Sequence, residues 1–136
     1  MTALTDNDRD ALIALTQRLR AEEKDFQNSP RRHALHDRLA ANPERMAEAQ
    51  AAYRAIHTEI EQRAVAAKAL SYEVALELEV VRDRFLLELD KTDDLGAASD
   101  AARKRTDPEN LLERARSEAA ASVESPQEED VASPSP

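Results

Sequence analysis

The stretch PERMAEAQAAYRAIHTEIEQRAVAAKALSYEVALELEVVRDRFLLELD, residues 43–90, decides the fold class. Beyond Pro43 it holds neither Gly nor Pro, and it is dense in Ala, Glu, Leu and Arg, which favour helix. Asn42 precedes Pro43 as a cap with proline at the first helical position, and Gly96, the only glycine of the chain, lies just past the far end as a plausible terminator. Read as one helix, the run would be roughly 70 Å long at about 1.5 Å per residue, too long for a compact core of its own chain to cover. The expectation is an all-α protein built as a helix–short helix–long helix bundle or coiled coil.

A seven-residue repeat runs along this stretch. Met46, Tyr53, Ile60, Ala67, Val74 and Val81 recur at one heptad position, and Ala49, Ile56, Arg63, Leu70, Glu77 and Arg84 at its companion, so the second series turns polar in its later half. From Leu70 the apolar spacing becomes four, four, three, four and four through Val74, Leu78, Val81, Phe85 and Leu89, a stutter that locally unwinds a left-handed coil. Leu76, Val80 and Leu87 lie off this stripe, so residues 74–89 are apolar on several faces and need covering from several sides. Met46, Tyr53, Ile56, Ile60, Leu70, Val74, Leu78, Val81, Phe85 and Leu89 are therefore the candidate partner-binding residues. The same seam also suits the inner face of a bundle formed by one chain.

A β reading competes over residues 72–90, where Tyr72, Val74, Leu76, Leu78 and Val80 alternate with polar residues and Phe85, Leu87 and Leu89 offer a return strand. That alternative makes the fold α+β with a hairpin. Against it, Val81-Arg82-Asp83-Arg84 lacks the Gly or Asn of a tight hairpin turn.

Working outward, residues 6–26 form an amphipathic helix with Leu12, Leu15, Leu19 and Phe26 near one face and an acidic opening at Asp6, Asp8 and Asp10. Ser29-Pro30 opens a short helix to about residue 41 that buries Leu35 and Leu39. These three helices make a helical domain over residues 1–90. Residues 91–106 read as a linker, Asp107-Pro108 opens a short helix over 107–121, and Ser, Pro and Glu dominate a disordered acidic tail over 122–136. The layout of Ser29-Pro30 followed by Asn42-Pro43-Glu44 and a long amphipathic helix is similar to that of small bacterial helical regulators of the YlbF/YmcA type. The likeness rests on cap and proline devices that recur at helix starts, and no function is carried from it.

Composition narrows the function classes. Leu, Ile, Val and Phe make up 26 of 136 residues, and with a net charge of −9 this sits where single chains struggle to bury enough surface, so partner chains would help. No cysteine is present, which removes thiolate catalysis and cysteine-held metals. With a single glycine, neither a P-loop nor a dinucleotide fingerprint can be built. Acidic balance disfavours nucleic acid, and no stretch of about 18 apolar residues exists, so neither nucleic acid nor membrane is an expected partner. A soluble, cytoplasmic protein follows as the default.

The chemically sharpest cluster is His33, His36 and Asp37, whose spacing puts both imidazoles on one helix face, but Arg31, Arg32 and Arg38 oppose a cation there. His57 and Glu61 make a second pair at i and i+4, best read as the polar border of the seam. Arg103-Lys104-Arg105 is a small basic cluster in the expected linker. No catalytic, cofactor-binding or metal residue is assigned. The reading is a non-enzymatic helical assembly or interaction protein that forms a homo-oligomer or binds a helical partner. The alternative is a small acidic regulator or inhibitor of a basic protein, with a His-metal enzyme as an outlier.

Overall fold

The computed structural model describes the backbone of residues 4–132 and the side chains of residues 4–121. Six helices occupy the described residues: α1 Asp6–Gln27, α2 Pro30–Ala40, α3 Pro43–Ala67, α4 Ser71–Thr92, α5 Leu95–Arg105 and α6 Pro108–Ala132. The chain is all-α, and residues 72–90 are helix, not a hairpin. The side chains of the expected tail, 122–136, and the backbone of 133–136 lie outside the described residues.

Cap chemistry explains most of the starts. Thr5 and Asp8 cap α1 reciprocally: Asp8 N donates to Thr5 Oγ1 at 3.0 Å and Thr5 N to Asp8 Oδ2 at 3.2 Å. Asn42 Oδ1 accepts from Arg45 N at 3.1 Å, with Pro43 at the first helical position. Asp94 Oδ1 accepts from Gly96 N at 2.8 Å and Ala97 N at 3.2 Å, opening α5. Ser29 departs from the pattern, because its hydroxyl donates back to Phe26 O at 2.7 Å and leaves the start of α2 to Pro30.

The single long helix expected over 43–90 is two helices. Lys68 takes the left-handed conformation at φ 56°, and Ala69 N reaches back to Ala64 O at 3.0 Å while Lys68 N meets Val65 O at 3.2 Å. This is the Schellman closure usually made by glycine. Leu70 then runs extended, Glu73 Oε2 accepts from Leu70 N at 3.4 Å, and α4 begins. Gly96, read from sequence as a terminator, instead sits in the first turn of α5, and Asp93 at φ 54° ends α4. The expected linker 91–106 is largely helix, since Ala98 and Ala102 are small enough to be buried within the core.

Two compact units result, one of residues 20–107 and one of residues 1–19 with 108–136, and the chain passes between them within α1. In the first, α5 packs on α4 and α3, and α2 also meets both α3 and α4. Its core gathers Phe26, Leu35, Leu39, Ile56, Ile60, Val81, Phe85, Leu87 and Leu89. Each large apolar side chain removed from water here contributes about 1.5–3 kcal/mol before chain entropy is counted. The second unit has a thinner core of Leu15, Leu19 and Ala115, edged by Ala11, Leu12 and Leu111. Charge pairs flank it: Arg116 donates to both oxygens of Asp8 at 3.0 and 2.9 Å, and Arg18 and Arg114 both meet Glu118.

Candidate protein-interaction site

The seam residues separate into two environments. Ile56, Ile60, Val81, Phe85 and Leu89 are buried in the chain's own core, and Met46, Tyr53, Val74 and Leu78 pack against it half-buried. Tyr53 also donates its hydroxyl to Leu78 O at 3.2 Å, tying α3 to α4, and burial pushes its phenol above the ordinary value. These nine side chains therefore belong to, or pack against, one hydrophobic cluster within the chain. Leu70 is the exception and is 56% exposed.

What the fold leaves open is the corner joining α3 to α4. From Glu61 to Glu73 only Ala64 is even half-buried. The base of this hairpin is tied by Arg103 on Glu59, bidentate at 2.9 and 2.8 Å, and by Arg20 on Glu79 at 3.6 Å. Beyond them Arg63 Nη2 donates to both carboxylate oxygens of Glu77 at 2.9 and 2.8 Å, linking α3 to α4. Val65, Leu70, Tyr72 and Leu76 are exposed at this tip by 79, 56, 63 and 56%. Leu76 was legible as a residue off the main stripe and in the alternation of the β reading, and Val65 carried no signal at all.

On α4 the exposed pair belongs to a longer face. Tyr72, Leu76, Val80, Asp83 and Leu87 follow one another by four, four, three and four residues and so share one side of the helix. Asp83 and Leu87 are buried, Val80 is half-buried, and Tyr72 and Leu76 are bare. Residues 20–27 of α1 cover the lower part, with Arg20 Nη1 donating to Asp83 Oδ2 at 2.9 Å and Phe26 sharing a cluster with Leu87. Glu73 and Glu79 border the bare part on either side, and a groove of about 310 Å³ lies along the Glu73–Glu77 flank, lined also by Arg63, Ala64, Ala67, Ala69 and Val74.

The base of the hairpin is fixed by a buried ionic cluster that sequence reading missed. Glu23 is fully buried and accepts from Arg84 Nε at 2.9 Å, from Arg105 Nε at 2.5 Å and from Arg20 Nη1 at 3.3 Å. Arg84 also reaches Glu88 at 3.1 Å and Glu22 at 3.3 Å. Burial pulls the Arg84 guanidinium down, but Glu23, Glu88 and Glu22 outweigh it and hold it above its ordinary value. A cation so held stays charged and neutralises Glu23. The cluster joins α1, α4 and α5 and has no free acid or base to offer a substrate.

The remaining chemical candidates stay apart. His33, His36 and Asp37 are all exposed. His57 Nε2 meets Glu61 at 3.1 Å on one helix, with Tyr53 set edge-on to the imidazole at 5.9 Å. Arg103, of the basic cluster, is paired with Glu59, Lys104 with Asp100 at 3.1 Å, and Arg105 with Glu23. Among the described residues, no group of three His, Asp or Glu is placed to hold a metal ion, and no helix is long and apolar enough to cross a membrane. No family model, curated protein or solved structure matches this chain.

Proposed function

We propose that this is a non-enzymatic helical interaction protein whose contact surface is the α3–α4 tip. One observation carries the reading: Tyr72 and Leu76, one turn apart on one side of α4, stand more than half exposed, with Leu70 exposed at the start of the same helix. Isolated exposed apolar residues are ordinary, whereas neighbouring ones on one side of a helix are the kind of surface that marks a contact site. The supporting scaffold is stiff, because Tyr53 and the Arg63–Glu77 pair brace the two helices below the corner. Binding here would order little additional chain, which favours affinity per unit of area.

The test is photo-cross-linking of the full chain in its native cell from a reactive residue placed at position 72, with positions 34 and 55, both exposed alanines, as controls. The proposal expects a discrete adduct from position 72 that disappears with Leu76→Asp. An adduct pattern at 72 indistinguishable from the controls would remove the tip as the contact surface.

A further inference from the structure

We infer that this chain exchanges halves with a second copy: the break at Lys68 straightens, α3 and α4 run on as one helix, and residues 71–107 of each copy pack on residues 20–67 of the other. The inference goes beyond the tip as a contact surface and does not depend on it. The connection Lys68-Ala69-Leu70 holds neither Gly nor Pro, so nothing in it forbids a helix. Lys68 stands at φ 56°, a strained conformation for a residue with a Cβ, and a continuous helix relieves it. Of residues 61–73 only Ala64 is even half-buried, so straightening uncovers no buried side chain. The two hydrogen bonds of the closure, Lys68 N to Val65 O and Ala69 N to Ala64 O, give way to the regular bonds of a helix interior.

Helical phase supports the exchange. At about 100° per residue, the buried Ile56 and Ile60 of α3 and the buried Val81, Phe85 and Leu89 of α4 fall within about 80° of arc on the straightened helix. Both halves thus turn the same side to one partner, as exchange between two copies requires, whereas a hairpin puts no such condition on its two helices. Tyr72 and Leu76 fall on the opposite side and stay open. The break also divides the contacts cleanly. Each compact unit joins a stretch before Lys68 to one after it, within 20–107 in one and as 1–19 with 108–136 in the other. The contacts that cross the break, α3 on α4 and α5, Glu23 on Arg84 and Arg105, and Asp8 on Arg116, all reform with the half from the other copy. The cost of bringing two chains together is then set against strain relieved at two hinges.

In the experiment the full chain is unfolded in urea, refolded at low and at high protein concentration, and sized by light scattering, beside Leu70→Pro and Lys68→Gly. Leu70 sits at φ −75°, which proline adopts, just past a left-handed helix end where proline is common, so Leu70→Pro keeps the hairpin and breaks the continuous helix. The expected result is a species of twice the chain's mass that grows with the refolding concentration. Leu70→Pro lowers its association constant by on the order of a hundredfold per hinge. Lys68→Gly lowers it in the same direction without proline and carries the test independently. The chain has no cysteine, so Arg63→Cys combined with Glu77→Cys and bridged by a short bismaleimide reports which chains supply the two helices. On a denaturing gel the bridge joins two chains in the exchanged dimer and stays within one chain in the monomer. A single-chain mass at every concentration, or a dimer that both hinge variants leave unchanged, overturns the inference. A dimer whose bridges stay within one chain and that Leu76→Asp dissolves also overturns it, while leaving the tip standing as a contact surface.

Discussion

Glu23 and Arg84 meet at 2.9 Å with the carboxylate wholly removed from water, sixty-one residues apart in the chain and on different helices. The pair ties residues 20–27 of α1 to α4, and Arg105 brings α5 to the same carboxylate. Taking both charges out of water costs several kcal/mol, so the pair is weak evidence for net stability. Breaking it is another matter, because the remaining partners stay buried.

Glu23→Gln is therefore predicted to destabilise the unit of residues 20–107 by about 3–5 kcal/mol, since it leaves the buried Arg84 and Arg105 guanidiniums around a neutral amide with one acceptor oxygen in place of two. Urea unfolding followed by far-ultraviolet circular dichroism measures this. A loss under about 1 kcal/mol would mean that the arginines find other partners and that Glu23 does not hold the three helices together.

The seam gives a second prediction by contrast. Phe85 and Ile60 are buried, whereas Leu76 is largely exposed. Phe85→Ala should cost about 3–5 kcal/mol through the lost burial and the cavity left behind. Ile60→Asp should prevent folding by placing a carboxylate in the core. Leu76→Asp should change stability by no more than about 0.5 kcal/mol. Thermal and urea unfolding of the three variants decide the matter. If Ile60→Asp kept the fold and altered only the mass in solution, the seam would be a surface between chains after all.

The contrast also shows what the sequence made legible. The all-α class, the starts at Asn42-Pro43 and Asp107-Pro108, and the apolar stripe through Ile56, Ile60, Val81 and Phe85 follow from local chemistry, which acts over a few residues. The break at Lys68 has no such signature, because a lysine in the left-handed conformation looks like any other helix-favouring residue until the closure around it forms. Helix α5 was hidden for a related reason. Ala98, Ser99 and Ala102 read as linker residues, and only their close approach to the core makes them buried. The candidate surface was half legible: Leu70 stood among the seam residues and Leu76 was visible off the stripe. Which faces stay bare depends on what packs on α4 from distant parts of the sequence, and periodicity along one helix carries no information about that.

Lys68 supplies the third prediction. A residue with a Cβ in the left-handed region costs roughly 1–2 kcal/mol, and glycine removes that penalty at some cost in unfolded-chain entropy. Lys68→Gly should stabilise the protein by about 0.5–1 kcal/mol, and Lys68→Val, β-branched at φ 56°, should destabilise it. Thermal melts of the two variants test the corner directly. A destabilising Lys68→Gly would show that α3 and α4 join by some other backbone geometry.

Acid provides the fourth. Burial alone would raise the Asp90 carboxyl, but hydrogen bonds from Arg31 and Arg38, at 2.5 and 3.2 Å, outweigh it and hold the group below its ordinary value of 3.8. Glu59 is likewise held below its ordinary 4.5, chiefly by the hydrogen bond from Arg103. A carboxylate whose folded value is depressed contributes stability that is fully present above the unfolded value and is lost as pH falls through the folded one. Stability attributable to these groups should therefore be flat from pH 7 to about 5 and decline below about 4. Removing Arg31 and Arg38 together, each as Arg→Met, leaves Asp90 with the burial and without the donors, so its titration should move up to or beyond 3.8. Carboxyl carbon NMR titration of parent and double variant reads this residue by residue. A parent Asp90 titrating at or above the ordinary value would mean that the two arginines do not hold it, and the acid loss would then have to arise elsewhere.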